Sequence, residues 1–173
     1  MDGVGEQVGL FEVPGVDDAH GFRGPVAAHV AGISYRQLDY WARTGLVEPS
    51  LRPASGSGSQ RLYSFLDVVA LSIVKRLLST GISLANVRGA LATMRAYGAH
   101  DVAGITLVSD GVGVYLCRGD DEVIDLVRGG QAVIGLALGK VLGDVAAAVT
   151  DAVHAEAGDQ PPVAGRPALR VVS

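Results

Sequence analysis

Between residues 66 and 80 apolar side chains fall at 66, 69, 70, 73, 74, 77 and 78, the three-and-four spacing of one helix stripe. Gly81 stops the pattern, and Ser83 is placed to cap a further helix through Leu84, Val87, Leu91 and Met94, ending near Gly98. Upstream, Pro25 suits the first turn of a helix running to Ala31, where Gly32 breaks it. Ser34 then caps a second helix, Tyr35 to Thr44, whose Leu38 and Trp41 or Ala42 point inward before Gly45 closes it. Two helices joined through Ala31-Gly32-Ile33-Ser34 have helix-turn-helix spacing. Between the two helix pairs, EPSLRPASGSGSQRLYS (48–64) excludes a helix. It predicts a β-hairpin wing with a mobile tip at Ser55–Ser59 and a short strand over Gln60-Arg61-Leu62-Tyr63.

From about residue 103 the texture changes. Ile105–Val108 and Val112–Cys117 flank Asp110-Gly111, a strong hairpin signal. A short acidic helix is predicted over Asp120 to Val127. The apolar run Gln131–Leu138 fits a strand or the start of a helix. Lys140 to His154 reads as helical, and Pro161, Pro162 and Pro167 mark a loose tail.

Composition narrows the class. At 173 residues with 49% apolar content, the chain can bury a sizeable core. One cysteine excludes a disulfide framework and a Cys-rich metal cage, and fits a reducing cytoplasm. The acidic N-terminus is unlike a secretory signal, and no run is long and apolar enough for a membrane span. The net charge of −4 is unevenly spread. Residues 1–22 hold five acids and no base, residues 23–98 nine bases and three acids, and residues 99–173 five bases and ten acids. A basic block inside an acidic chain fits either a nucleic-acid footprint or a solvated face.

Order and spacing then carry a resemblance. GISYRQLDYWARTGLVEP (32–49), QRLYSFLDVVALSIVKRLLSTGISLANVRGAL (60–91) and the wing between them resemble the DNA-binding domain of the MerR family of transcription regulators. The resemblance covers residues 22–97, and YRQLDYWARTGLV is similar to the FtsR-type branch, linked to control of cell-division genes. It implies a homodimer on double-stranded promoter DNA, binding in the promoter spacer and distorting it so that RNA polymerase can engage both promoter elements. Repression by occlusion stays open beside activation.

A recognition helix buries one face and offers the other to the major groove. The outward set is Tyr35, Arg36, Gln37, Tyr40 and Arg43. Arg can pair bidentately with guanine and Gln with adenine, so Arg36 and Gln37, near the helix start, are the candidate base readers. Tyr40 and Arg43 are placed for phosphate, with core packing as the alternative for Tyr40. Arg23, Arg52 and Gln60 complete the candidate surface with Arg61 and Tyr63. In the resembled family the arginine of the Arg-Leu-Tyr strand, here Arg61, contacts the DNA backbone, with Tyr63 beside it. One position departs: many members have Arg after the Leu of the recognition helix, where this chain has Asp39. An acid cannot hold phosphate, and pairing with Arg36 or Arg43 is expected.

Competing sites are weak. Gly56-Ser57-Gly58-Ser59 lacks the Lys-Ser/Thr and the strand–helix frame of a phosphate loop. The four histidines are scattered, and Cys117 reads as a small buried hydrophobe. Asp120, Asp121, Glu122 and Asp125 complement a helix N-terminus. No cofactor, no metal and no enzymatic activity are expected.

The expectation is an α+β chain: an N-terminal winged helix-turn-helix domain (23–98) followed by a small α/β C-terminal domain (99–157). A disordered acidic arm (1–22) and a flexible tail (158–173) flank them. Dimerisation is assigned to the C-terminal domain through Val133, Ile134, Leu136 and Leu138, because no long coiled-coil helix follows Gly98. Packing of that surface on the chain's own helices at 66–97 is the alternative. A location in the cytoplasm, associated with the nucleoid, follows. Two other functions are compatible: a C-terminal domain that senses a small molecule, or a DNA-associated module that docks another protein.

Overall fold

The computed structural model describes residues 20–53, 60–97, 102–110, 113–118 and 134–158. The predicted acidic helix over 120–127, the wing tip, most of the arm, the tail and Val133 lie outside these residues. The chain enters through strand β1 (Phe22–Arg23) and runs directly into helix α1 (Gly24–Ala31), with Pro25 in its first turn. Gly32 ends α1 with φ 65°, a left-handed cap that glycine adopts without steric cost. Helix α2 (Tyr35–Arg43) follows, capped by Ser34. Beyond it Leu46 and Val47 are driven into the core.

Strand β2 (Leu62–Tyr63) is shorter than the four residues the sequence suggests. Its partner is β1, antiparallel, with Phe22 opposite Tyr63 and Arg23 opposite Leu62. Arg52 also bridges Leu62, which closes the base of the wing. Phe22, assigned to the arm by composition, is therefore a core residue of the folded domain. Ser64 and Asp67 form a reciprocal capping box at the start of helix α3 (Phe65–Ser79). The same Asp67 carboxylate accepts from Ser50 N and Oγ, both at 2.8 Å, and so ties down the approach to the wing. Leu66, placed on the inner stripe by periodicity, is exposed in the first turn of α3.

Helix α4 (Leu84–Tyr97) and a single 3₁₀ turn (Val102–Gly104) lead to a three-stranded antiparallel sheet. Strands β3 (Thr106–Ser109) and β4 (Val114–Cys117) form the predicted hairpin, but its connection takes in Asp110 to Gly113 and is longer than a two-residue turn. The apolar run resolves into strand β5 (Ile134–Ala137), which pairs with β3 and passes without a break into helix α5 (Leu138–Gly158). Gly139 at the start of α5 lies so close to the 3₁₀ turn that a Cβ there would sit 2.8 Å from the Ala103 carbonyl oxygen. Leu138 N donates to Ile105 O at 2.9 Å and fixes that approach.

One hydrophobic core runs through the described structure. Ala27 and Ala31 of α1, Leu71 and Val74 of α3, and Leu138, Val141, Leu142, Val145 and Val149 of α5 belong to the same buried cluster. The expected C-terminal segment shares this core with the N-terminal domain: α5 packs on α1 and α3, and the sheet packs against α4 through β4. The dimer assignment of Leu138 fails, because its side chain is fully buried within its own chain. Ile134, on the same strand-to-helix segment, is 48% exposed, and Leu136 is half-buried. Among the described residues no helix is long and apolar enough to cross a membrane.

Candidate nucleic-acid interface

Helix α2 is amphipathic because its polar and apolar residues separate cleanly by turn. Leu38, Trp41 and Ala42 are buried, while Tyr35 (57% exposed) and Tyr40 (50% exposed) stand outward with Arg36, Gln37 and Arg43. Core packing is thereby excluded for Tyr40. The helix N-terminus is held by a capping box: Gln37 N donates to Ser34 Oγ at 3.2 Å, and Ser34 N donates to Gln37 Oε1 at 2.9 Å. Ser34 Oγ also donates to Gln37 Oε1, at 3.1 Å. Gln37, a candidate base reader, thus has its carbonyl oxygen engaged by its own helix. Bidentate adenine recognition needs that oxygen as well as the amide nitrogen, so it would require the box to open. Arg36 has no such constraint; it is exposed and forms no ion pair among the described residues.

Asp39 gathers two arginines. Arg43 Nη2 lies 3.0 Å from Asp39 Oδ2, one turn along the helix, and Arg61 Nη1 donates to Asp39 Oδ1 at 2.8 Å from the wing. The pairing with Arg43 follows from i,i+4 spacing. The hydrogen bond from Arg61, aided by the charges of both guanidiniums, holds the Asp39 carboxyl below its ordinary value of 3.8. Only 19% of the Arg61 side chain is exposed. The expected backbone contact of Arg61 is revised on this ground: its guanidinium is engaged by Asp39 and largely covered.

Tyr63 is corrected more firmly. It is fully buried, its hydroxyl lies beside the Arg61 guanidinium without a well-formed hydrogen bond among the described residues, and burial pushes its phenol upward from 10.0 against the opposing pull of Arg61. A ring inside the core cannot touch a nucleic acid. Arg23, Arg52 and Gln60 are exposed, the first on β1 and the other two on the flanks of the wing. These positions lie together because β1, β2 and the Arg52 bridge form one small ribbon.

Several bases of the 23–98 block serve the fold. Arg88 Nη2 donates to Thr44 O at 3.4 Å and Arg95 Nη2 to Leu46 O at 3.1 Å, so α4 supports the carbonyls where α2 ends. Arg76 pairs with Asp144 of α5 at 2.7 Å. Charge density along the sequence therefore overstates the cation available at the surface of α2.

No cluster of three or more His, Cys, Asp or Glu side chains suited to a metal ion occurs among the described residues. A cleft of about 200 Å³ opens between α1, α3 and α5, lined in part by Ser72, Lys75, Arg76 and Asp144. It is smaller than the roughly 300–1,000 Å³ of ordinary small-molecule sites, and its carboxylate is already paired.

Known proteins resemble this chain in sequence. The family described as MerR HTH family regulatory protein matches residues 25–94. A protein of Mycobacterium tuberculosis (strain ATCC 25618 / H37Rv), named an uncharacterized HTH-type transcriptional regulator, is 54% identical over 154 residues; the match covers 88% of this chain and 68% of that protein. A counterpart in Mycobacterium bovis (strain ATCC BAA-935 / AF2122/97), similarly named, matches with the same identity and coverage. The chain is also 33% identical over 72 residues to a heavy metal-dependent transcription regulator of Rhizobium meliloti (strain 1021), covering 42% of this chain and 47% of that protein.

Proposed function

The chain belongs to the MerR HTH family of transcriptional regulators, and from that premise we propose that it binds promoter DNA as a homodimer through α2 and the wing, deforming the duplex to control transcription. The observation that carries the reading is the division of α2: Leu38, Trp41 and Ala42 anchor it, while Tyr35, Arg36, Tyr40 and Arg43 face outward beside the wing. In this reading Arg36 contacts a base edge in the major groove. Tyr35, Tyr40, Arg43, Arg23, Arg52 and Gln60 contact sugar and phosphate, which fix register without reading sequence.

The dimer is proposed to form along β5, whose one strand neighbour among the described residues is β3 and whose Ile134 is exposed. Linking two half-site binders raises affinity through effective concentration and imposes a pseudo-palindromic target. Deformation of the spacer between half-sites adds specificity at base pairs the protein never touches. Engagement of RNA polymerase at the distorted promoter, and a regulon containing cell-division genes, complete the proposal; both rest on the family and branch resemblance.

Selection of bound duplexes from a random pool, followed by footprinting, tests this directly. A pseudo-palindrome protected on both halves, with hypersensitive cleavage at its centre, is the expected result. A single unpaired half-site or an undistorted centre overturns the dimeric, deforming mode.

A further inference from the structure

Asp39 stands on the outward face of α2, one turn from Tyr35, Arg36 and Arg43, where a carboxylate repels phosphate. Its two oxygens are both in use: Oδ2 pairs with Arg43 of the same helix, and Oδ1 accepts from Arg61 of the wing at 2.8 Å. The two arginines differ in what they have left. Arg43 keeps 68% of its side chain exposed, whereas Arg61 keeps 19% and leads into the buried Tyr63. An arginine with that little access and a carboxylate partner at hydrogen-bond distance is a strut between two elements. A phosphate could engage it only by displacing Asp39.

We propose that Asp39 is the positioning residue of the DNA surface: it docks the wing on α2 through Arg61 and thereby withholds that cation from phosphate. The inference rests on the DNA-binding reading of α2 given above. It assigns phosphate neutralisation to the exposed cations around the pair and gives Arg61 a placing role. The Ser50 contacts to Asp67 and the pairing of β1 with β2 already hold the base of the wing, so the strut governs its inclination against α2.

A double-mutant cycle reads this out. Wild type, Asp39→Asn, Arg61→Gln and the double variant are titrated with a random-sequence duplex across a range of potassium chloride concentrations, with circular dichroism reporting the fold of each. Each phosphate neutralised contributes a slope of about 0.9 to the fall of log affinity with log salt. Arg61→Gln alone is expected to leave the wild-type slope unchanged, because no phosphate contact is lost, while lowering affinity at every salt concentration, because the wing loses its seat on α2. Asp39→Asn should steepen it by about one such increment, and adding Arg61→Gln should return it to the wild-type value. Asp39→Glu, which keeps the carboxylate, should behave as wild type.

A slope flattened by Arg61→Gln in the presence of Asp39 overturns the proposal, as does an equal effect of that substitution in both backgrounds. The first comparison decides the matter even if Asp39→Asn does not fold. Failure of the wild type to bind any duplex would overturn the DNA-binding reading along with this one. Binding with additive effects would overturn this one alone.

Discussion

Arg76 Nη2 donates to Asp144 Oδ2 at 2.7 Å, joining α3 of the helix-turn-helix to α5 across 68 residues of chain. Lys140 Nζ lies 3.1 Å from the other carboxylate oxygen, one turn before it on α5. This part-exposed triad marks the seam at which the C-terminal helix closes the DNA-binding domain.

The seam gives a pH dependence. Hydrogen bonds from Arg76 and then Lys140 hold the Asp144 carboxyl below its ordinary value of 3.8. A depressed carboxylate contributes stability that is present above the unfolded value and lost as pH falls through the folded one. Asp144→Asn should therefore be less stable than wild type at pH 7, and the gap should close progressively below about pH 4. Urea unfolding midpoints across that range check it; a gap that persists or widens in acid contradicts the assignment.

Leu138 and Ile134 separate folding from association. Leu138 is fully buried in its own chain, so Leu138→Ala should cost about 2–5 kcal/mol. Ile134→Lys, at an exposed site, should cost within about 0.5 kcal/mol. If β5 forms the dimer, only the second change dissociates it without unfolding the monomer. Equilibrium sedimentation beside chemical denaturation distinguishes the two.

Tyr63→Phe removes a hydroxyl that is buried with no well-formed hydrogen bond, beside the Arg61 guanidinium. An unsatisfied buried polar group costs about 1–3 kcal/mol, so the variant should be at least as stable as wild type, by up to about 1 kcal/mol. Its affinity for duplex should be unchanged, since the ring contributes to the core. Lower stability on calorimetry would show that the hydroxyl does have a partner.

Two glycines of α5 should respond with opposite signs. Nothing lies within 4 Å of a Cβ added at Gly143, so Gly143→Ala should stabilise the helix by about 0.5–1 kcal/mol. At Gly139 the same atom would meet the Ala103 carbonyl oxygen at 2.8 Å, and backbone cannot swing aside. Gly139→Ala should therefore be destabilising, by about 1–3 kcal/mol. Thermal midpoints of the two variants, measured side by side, test the packing of α5 on the 3₁₀ turn.

What the sequence reveals and what it hides divide by range. The helices of the helix-turn-helix are legible because their signals are local: Ser34 before Tyr35, Gly32 and Gly45 after their helices, and the stripe that ends before Gly81. The β1–β2 ribbon is invisible to periodicity, since two-residue strands have none; burial of Phe22 against its distant partner Tyr63 defines it. Asp39 illustrates both cases. Its pairing with Arg43 follows from helical spacing, whereas Arg61 reaches it only because the wing folds back over α2.

The same limit applies to the apolar surplus after residue 130. Alternation and composition show that Leu136, Leu138, Val141 and Leu142 need covering, but not what covers them. The structure supplies α1 and α3 of the same chain for α5, and leaves Ile134 exposed at the sheet edge. Gln37 carries a second use for a related reason. A polar residue at the start of a recognition helix suits a base edge and a capping box equally, and only geometry shows its oxygen bonded to Ser34.

The shared core also sets an order of events during synthesis. Helix α5 follows every other described element in the chain, yet its Val141, Val145 and Val149 lie in the cluster that includes Ala27, Ala31, Leu71 and Val74. While the ribosome is still translating residues before 138, that wall of the helix-turn-helix faces water. A nascent chain paused there would present an incompletely closed head, open to chaperone capture. The reading head reaches its final packing only after α5, the last described element of the chain, has left the exit tunnel.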